Sequence, residues 1–399
     1  MEKAICKQLE IKILIYLKKY LLFILSILIS FTSISQSVVN HKDNELISLL
    51  KGKDKLIDLV LDNQDKYHLQ INFTKVDANK NEITLHDYSL NKDKHYFHPA
   101  SLIKLPIAIT SLELFSKFEE DYGIDLNTFV HSETCSCDFN TDKYVNNKMR
   151  PNLDILLREM LIMSNNDAYN FFFNFSGPTY FNRRMKELSL NNIILRNRFY
   201  AGCTYQGANE HGGLYFQKDN SSNKYKIGCI KDSLKTIEQS LYLNYPNSRS
   251  SNVVSLYSIH RLMIQLFYPQ SFNPDFKLFL SSKNLDFLKT TLCSYPNSLP
   301  NYQNIPSHFH KYLMPSAFLN KQNNNIKIYS KNGNAGGYIS DVMFLNDEEH
   351  HVKYFLSVSM LNYKQKSYYK RRVIYTTPGI DVFRKISNVL YEYAKKQTH

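Results

Sequence analysis

The chain has 399 residues, 43% of them hydrophobic and 14% aromatic, with a formal charge of +13 at pH 7. That length suits one large domain or two small ones, and only 12 Gly and 12 Pro exclude collagen-like and low-complexity classes. The lysines are scattered rather than clustered, which argues for a solvated basic surface and against a nucleic-acid interface.

Residues 1–37 read as an export signal. Lys18 and Lys19 precede the apolar run Tyr20–Ile29, and Ser33-Ile34-Ser35-Gln36 offers small residues for cleavage. An uncleaved anchor is the alternative, but the run after the lysines is short for a span. The expectation is a periplasmic or secreted protein with no stable membrane span after cleavage and one domain over residues 43–397. Five cysteines remain beyond the signal: Cys135, Cys137, Cys203, Cys229 and Cys293. An odd number leaves at least one free or paired outside the chain. Cys135-Ser136-Cys137 lacks zinc-ribbon spacing, and no metal or other cofactor is expected.

The apolar spacing predicts an amphipathic helix over 43–63, interrupted near Gly52. Alternation predicts strands over 68–76 and 82–90, with a turn between them. Pro99 disfavours the helical region for His98, so a helix should start after it and place Ser101 in its first turn. Leu102, Ile103, Leu105, Ile107, Ala108 and Ile109 leave that helix almost no polar face, as for a buried element. Pro106 is expected to bend it. A polar stretch follows over 121–150, then helices over 153–163, 168–175 and 179–188. The stretch 193–251 is largely irregular, helices are predicted over 253–267 and 285–292, and 294–325 is again irregular. Strands over 326–330, 337–345 and 352–361 and a helix over 380–396 close the chain. The fold class is α+β: N- and C-terminal strands form one antiparallel sheet flanked by helices, with an all-helical lobe inserted between them.

Three pieces carry chemistry. Ser101 and Lys104 are three apart on one helical face. A desolvated lysine can accept a proton, and a serine beside it can become a nucleophile. Ser-x-x-Lys is short enough to recur by chance, so its weight depends on the other two pieces. Ser164-Asn165-Asn166 lies at a helix-to-helix junction, where capping alone is the competing explanation. Lys331-Asn332-Gly333-Asn334-Ala335-Gly336-Gly337 ends a strand, where a plain hairpin turn competes.

Together, and in this order, the three resemble the Ser-x-x-Lys, Ser-Asp-Asn and Lys-Thr-Gly signature of the class A β-lactamase and penicillin-binding serine hydrolase superfamily. Asn165 stands where the family has Asp, and Asn332 where it has Thr or Ser. The resemblance covers roughly residues 45–396 and implies a β-lactamase-like transpeptidase fold. It implies Ser101 as the acylated nucleophile, Lys104 as its base, and Ser164 as the proton carrier to the leaving nitrogen beside Lys331. It implies substrate contacts from Asn166, Asn332, Gly333 and Asn334, with an oxyanion hole from the N–H groups of Ser101 and Asn334. The implied reaction is acyl hydrolysis of a small-molecule or peptide amide or ester, such as a β-lactam or a peptidoglycan-derived peptide. The β-lactamases of this family resemble one another in carrying a glutamate on the Ω-loop, near 196–200 here. This chain has Arg196-Asn197-Arg198-Phe199-Tyr200 there, and Glu210 is the nearest substitute. The alternatives are a true class A β-lactamase using Glu210 or another base, and a penicillin-binding sensor or non-catalytic binding protein.

Overall fold

A computed structural model describes residues 43–79, 82–132, 151–199, 214–217, 224–227, 252–306, 308–319, 325–362 and 378–397. The predicted signal, Cys135, Cys137, Cys203, Cys229 and Glu210 lie outside these residues. The first two helices are α1 (Asp43–Leu50) and α2 (Lys55–Asp62), separated at Gly52 as its positive φ requires. The strands β1 (Gln70–Asn79) and β2 (Glu82–Leu90) follow as a hairpin. A single 3₁₀ turn, Ala100–Ile103, then feeds α3 (Lys104–Tyr122). Pro106 therefore falls in the first turn of α3, where proline is best tolerated, rather than in the interior where a bend was expected.

The lobe contains β3 (Phe129–Ser132), α4 (Leu153–Ile162), α5 (Asn166–Ser176) and α6 (Pro178–Glu187). After it come β4 (Ile193–Ile194), β5 (Leu214–Gln217), β6 (Lys224–Ile227), β7 (Val253–Val254) and α7 (Leu256–Phe267). Two expectations change here. The stretch 193–251 contributes strands: β5 joins β3 and β6 in a small sheet, and β4 pairs with β7. Val253 and Val254 are extended, and α7 starts only after Ser255, whose hydroxyl caps it by accepting from Ser258 N–H. The chain ends with α8 (Ser282–Cys293), β8 (Ile326–Ala335), β9 (Tyr338–Asp347), β10 (Val352–Leu361) and α9 (Pro378–Lys396).

The main sheet has the antiparallel order β2-β1-β10-β9-β8, so the two N-terminal and three C-terminal strands do meet. Period-two alternation sends side chains to two cores. Met343, Leu345, Tyr354 and Leu356 face one side with α1, α2 and α9. Val342, Phe344 and Phe355 face the other, with α3 and the helical lobe. The result is three layers, with α3 buried between the sheet and the lobe; its residues 104–113 are all buried. Lys331 to Ala335 continue β8 rather than forming a turn; the reversal comes at Gly336 and Gly337, both with positive φ.

Candidate active site

Ser101 sits in the 3₁₀ turn at the entrance to α3, after Ala100, which is held at φ +47. An alanine in the left-handed region is strained, and such strain is held by surrounding contacts. One of them is the Ala100 N–H donated to His98 Nδ1 at 3.0 Å. On the other side stands β8. A Cβ on Gly333 would lie 2.5 Å from Pro99 O and 2.8 Å from Ser340 Oγ, so only glycine lets the strand approach the serine turn this closely.

Lys104 is fully buried and donates from Nζ to Ser164 O at 2.5 Å and Asn166 Oδ1 at 2.6 Å. Ser101 Oγ lies 3.1 Å from the same nitrogen, and Ser164 Oγ 3.4 Å. A neutral amine has two hydrogens and one lone pair. The two short acceptors take the hydrogens, which leaves the lone pair for the Ser101 hydroxyl. Burial, and next the charge of Lys331, hold the Lys104 ammonium well below the ordinary lysine range, against an opposing pull from Asp167. Its place at the first residue of α3 adds the unfavourable positive end of the helix dipole.

Ser164 is presented by a break between two helices and also adopts a positive φ, +57. Asn165 makes that break: its Oδ1 caps α5 by accepting from the N–H groups of Asp167 and Ala168, and its Nδ2 donates to Glu159 Oε2 at 2.7 Å. The capping role thus belongs to Asn165 alone, and Ser164 and Asn166 are left to face Lys104. Lys331, also buried, donates to Ser164 Oγ at 3.0 Å. Burial brings its pKa down to about 7, with Asp341 opposing. Ser164 Oγ therefore bridges the two lysines.

The other expected residues gather around this centre. Asn332 Oδ1 lies 3.4 Å from Lys331 Nζ, and Gly333 packs on the serine turn. Asn334 is the next residue along β8 and pairs with Ile339. Its Oδ1 is buried without a hydrogen-bond partner.

Two features lay beyond sequence reasoning. First, the residues where a glutamate was expected bring an aromatic ring to the lysine. The Phe199 ring lies 5.1 Å from Lys104 Nζ and packs against Tyr169 at a tilt of 35°, with ring centroids 4.3 Å apart. Asn170 fixes it by exchanging two 2.9 Å hydrogen bonds with its backbone. Asn252 ties down the preceding residues by accepting from the N–H groups of Arg196 and Asn197. Second, His310 reaches the cleft from the irregular stretch before β8, and its Nδ1 lies 3.4 Å from Asn332 Nδ2. Only a hydrophobic Phe after two arginines, and a His in a His-Phe-His-Lys run, marked these positions in sequence.

The described residues contain no group of three His, Cys, Asp or Glu side chains placed to hold a metal, and no helix long and apolar enough to cross a membrane. The chain matches the β-lactamase enzyme family over residues 53–239. No curated protein matches it in sequence. Among solved structures, it is similar to the TLA-3 extended-spectrum β-lactamase, with a TM-score of 0.51 and 13% identity over 86% of this chain and 99% of that one. It is equally similar to a β-lactamase from Desulfarculus baarsii, with a TM-score of 0.51 and 13% identity over 88% of this chain and 98% of that one. At such identity the likeness establishes the fold. The expected β-lactamase-like fold is thereby borne out.

Proposed function

We propose that this protein is an exported serine acyl hydrolase in which Ser101 attacks an amide or ester carbonyl and becomes acylated. The observation that carries the reading is the Lys104 amine, 3.1 Å from Ser101 Oγ with its two hydrogens taken by Ser164 O and Asn166 Oδ1. Lys104 accepts the hydroxyl proton as the Oγ–carbonyl bond forms. Ser164 Oγ, between Lys104 and Lys331, carries that proton to the leaving nitrogen as the amide bond breaks. The N–H groups of Ser101 and Asn334 stabilise the oxyanion. Asn166 has its Oδ1 on Lys104 and its Nδ2 for a substrate amide, and Asn332 and Gly333 line the opposite wall. The substrate is a β-lactam or a peptidoglycan-derived peptide. Residues 1–37 direct export to the periplasm or beyond, and 43–397 form the hydrolase domain.

Hydrolysis of the ester needs a base for the attacking water. Among the described residues, the stretch where a glutamate was expected presents Phe199 to Lys104, and a phenyl ring takes no proton. A general base contributes about 10²- to 10⁴-fold, so deacylation is the slow step and the acyl-enzyme accumulates. Intact-mass spectrometry and a chromogenic β-lactam test this together. A burst of one equivalent followed by slow turnover, with a penicilloyl adduct on Ser101 that Ser101→Ala abolishes, is expected. An unchanged labelling rate in Ser101→Ala refutes the nucleophile, and rapid turnover with no adduct refutes the slow second step.

A further inference from the structure

His98 stands between the two stretches of backbone proposed to carry the oxyanion donors. On one side its Nδ1 accepts the Ala100 N–H at 3.0 Å, and Ala100 is the residue before Ser101. On the other it lies against Gly336, two residues beyond Asn334. A Cβ on Gly336 would meet His98 Cβ, Cγ and Cδ2 at 3.3, 3.4 and 3.5 Å.

The local chain explains the first contact. Residue 98 precedes a proline, which favours extended backbone there. Pro99 sits at φ −69 and ψ −21, and Ala100 then turns to φ +47. Ala100 is buried, and a buried N–H needs an acceptor. An asparagine or aspartate side chain answers that need in an Asx turn, by bonding its own backbone two residues on. Here the imidazole does the same. A backbone N–H only donates, so Nδ1 is unprotonated and the ring proton sits on Nε2. Burial lowers the pKa of His98 from the ordinary histidine value, which favours this neutral ring at pH 7.

The second contact depends on the β8–β9 hairpin. Gly336, with φ +61, has no side chain to hold the imidazole off. The Asn362 N–H, donated to Gly337 O at 2.7 Å, ties the same reversal to the end of β10. The hairpin and the serine turn therefore meet at two points, Gly333 against Pro99 and Gly336 against His98, and Asn334 lies between them. These two points set the separation of the Ser101 and Asn334 N–H groups. The first is backbone against backbone, and the second is made by a side chain.

We propose that His98 is a positioning residue for the oxyanion hole, holding the Ser101 N–H through the hydrogen bond from Ala100 and the Asn334 N–H through its contact with Gly336. This rests on the acyl-hydrolase reading for the reaction, whereas the two contacts belong to the fold.

The test uses His98→Phe, which keeps a ring against Gly336 but accepts no hydrogen bond, and His98→Asn, which keeps an acceptor for the Ala100 N–H. Rapid-mixing mass spectrometry with benzylpenicillin gives the limiting rate of Ser101 acylation. Calorimetry in a Ser101→Ala background gives non-covalent binding. Removing one oxyanion donor costs about 10²- to 10³-fold in rate, so a misplaced donor in His98→Phe should cost about tenfold or more. Binding should stay within about threefold, because the oxyanion exists only in the transition state. His98→Asn should recover most of the rate. Hydrogen exchange in the peptide over residues 97–103 should quicken in His98→Phe and stay slow in His98→Asn. If His98→Phe does not fold, His98→Ala takes its place. An unchanged limiting rate, an equal loss in His98→Asn, or a loss carried wholly by weaker binding each overturns the proposal. A native chain that binds penicillin without being acylated overturns the acyl-hydrolase reading, and the exchange pattern then still decides whether His98 holds the turn.

Discussion

Lys331→Met should shift the protonation of Lys104. Both amines contact Ser164 Oγ, at 3.4 and 3.0 Å, so their nitrogens lie no more than about 6.4 Å apart even with the two arms laid end to end. Two unit charges at that distance repel by about 2.6 kcal/mol at an effective dielectric constant of about 20, equivalent to about two pH units. Lys331 keeps its proton below a pH of about 7. In that range it presses Lys104 toward the neutral form that can accept the Ser101 proton. Methionine fills the same volume without the charge. The rate of Ser101 acylation rises with pH as Lys104 loses its proton, so the substitution should move this acid limb upward by about two units. The absolute rate also falls, because Ser164 loses a hydrogen-bond donor. Stopped-flow acylation by a fluorescent penicillin from pH 4 to 9, with each profile normalised to its own plateau, gives the measurement. An acid limb that stays within a few tenths of a unit would show that the two lysines do not share one electrostatic environment, and the proposed base would lose its support.

Two further outcomes follow from the geometry. Gly333→Ala introduces a Cβ 2.5 Å from Pro99 O, a backbone atom that cannot swing away. Thermal unfolding should register a loss of about 1–3 kcal/mol, with a large fall in Ser101 labelling; full labelling would mean that the strand and the serine turn need no such approach. Resistance to urea should rise between pH 7 and about 9.5. Burial lowers the folded-state pKa of Lys331 to about 7 and of Lys311 to about 8, below the unfolded value of about 10.4. The unfolded chain therefore binds more protons in this window, and stability contributed by these lysines is lost as pH falls. Asp341, raised by burial to about 7, has the opposite sense but acts below that window. Lys311→Met should flatten the slope, and a flat slope in the native chain would refute the sign.

The strands of the main sheet, the order of the helices and the three motifs were legible because each rests on local information. Alternation marked β1, β2 and β10 within a few residues, Gly52 divided α1 from α2, and Pro99 placed the start of the serine turn. The two-residue strand β7 was read as helix, because Val253 and Val254 continue the apolar pattern of α7 and only pairing with β4 makes them extended. Likewise β3, β5 and β6 are only four residues each, too short for periodicity to mark, and their strand character comes from one another.

In the site, sequence alone determined which residue types were available: a serine three positions before a lysine, a second serine at a helix break and a second lysine on a late strand. Tertiary structure decided what each does. Residues 60 or more positions apart meet around Lys104 Nζ only because α3 is buried between the sheet and the lobe. Asn165 and Asn166 are neighbours with the same side chain, yet one caps a helix and the other holds the lysine. Phe199 and His310 carried no pattern, since a ring's distance from an amine depends on how two irregular segments are tied down by Asn170, Asn252, Lys311 and Asp341. The protonation of Lys104 was beyond sequence for the same reason. It depends on burial and on a charge 227 positions away in the chain, and both exist only once the layers have packed.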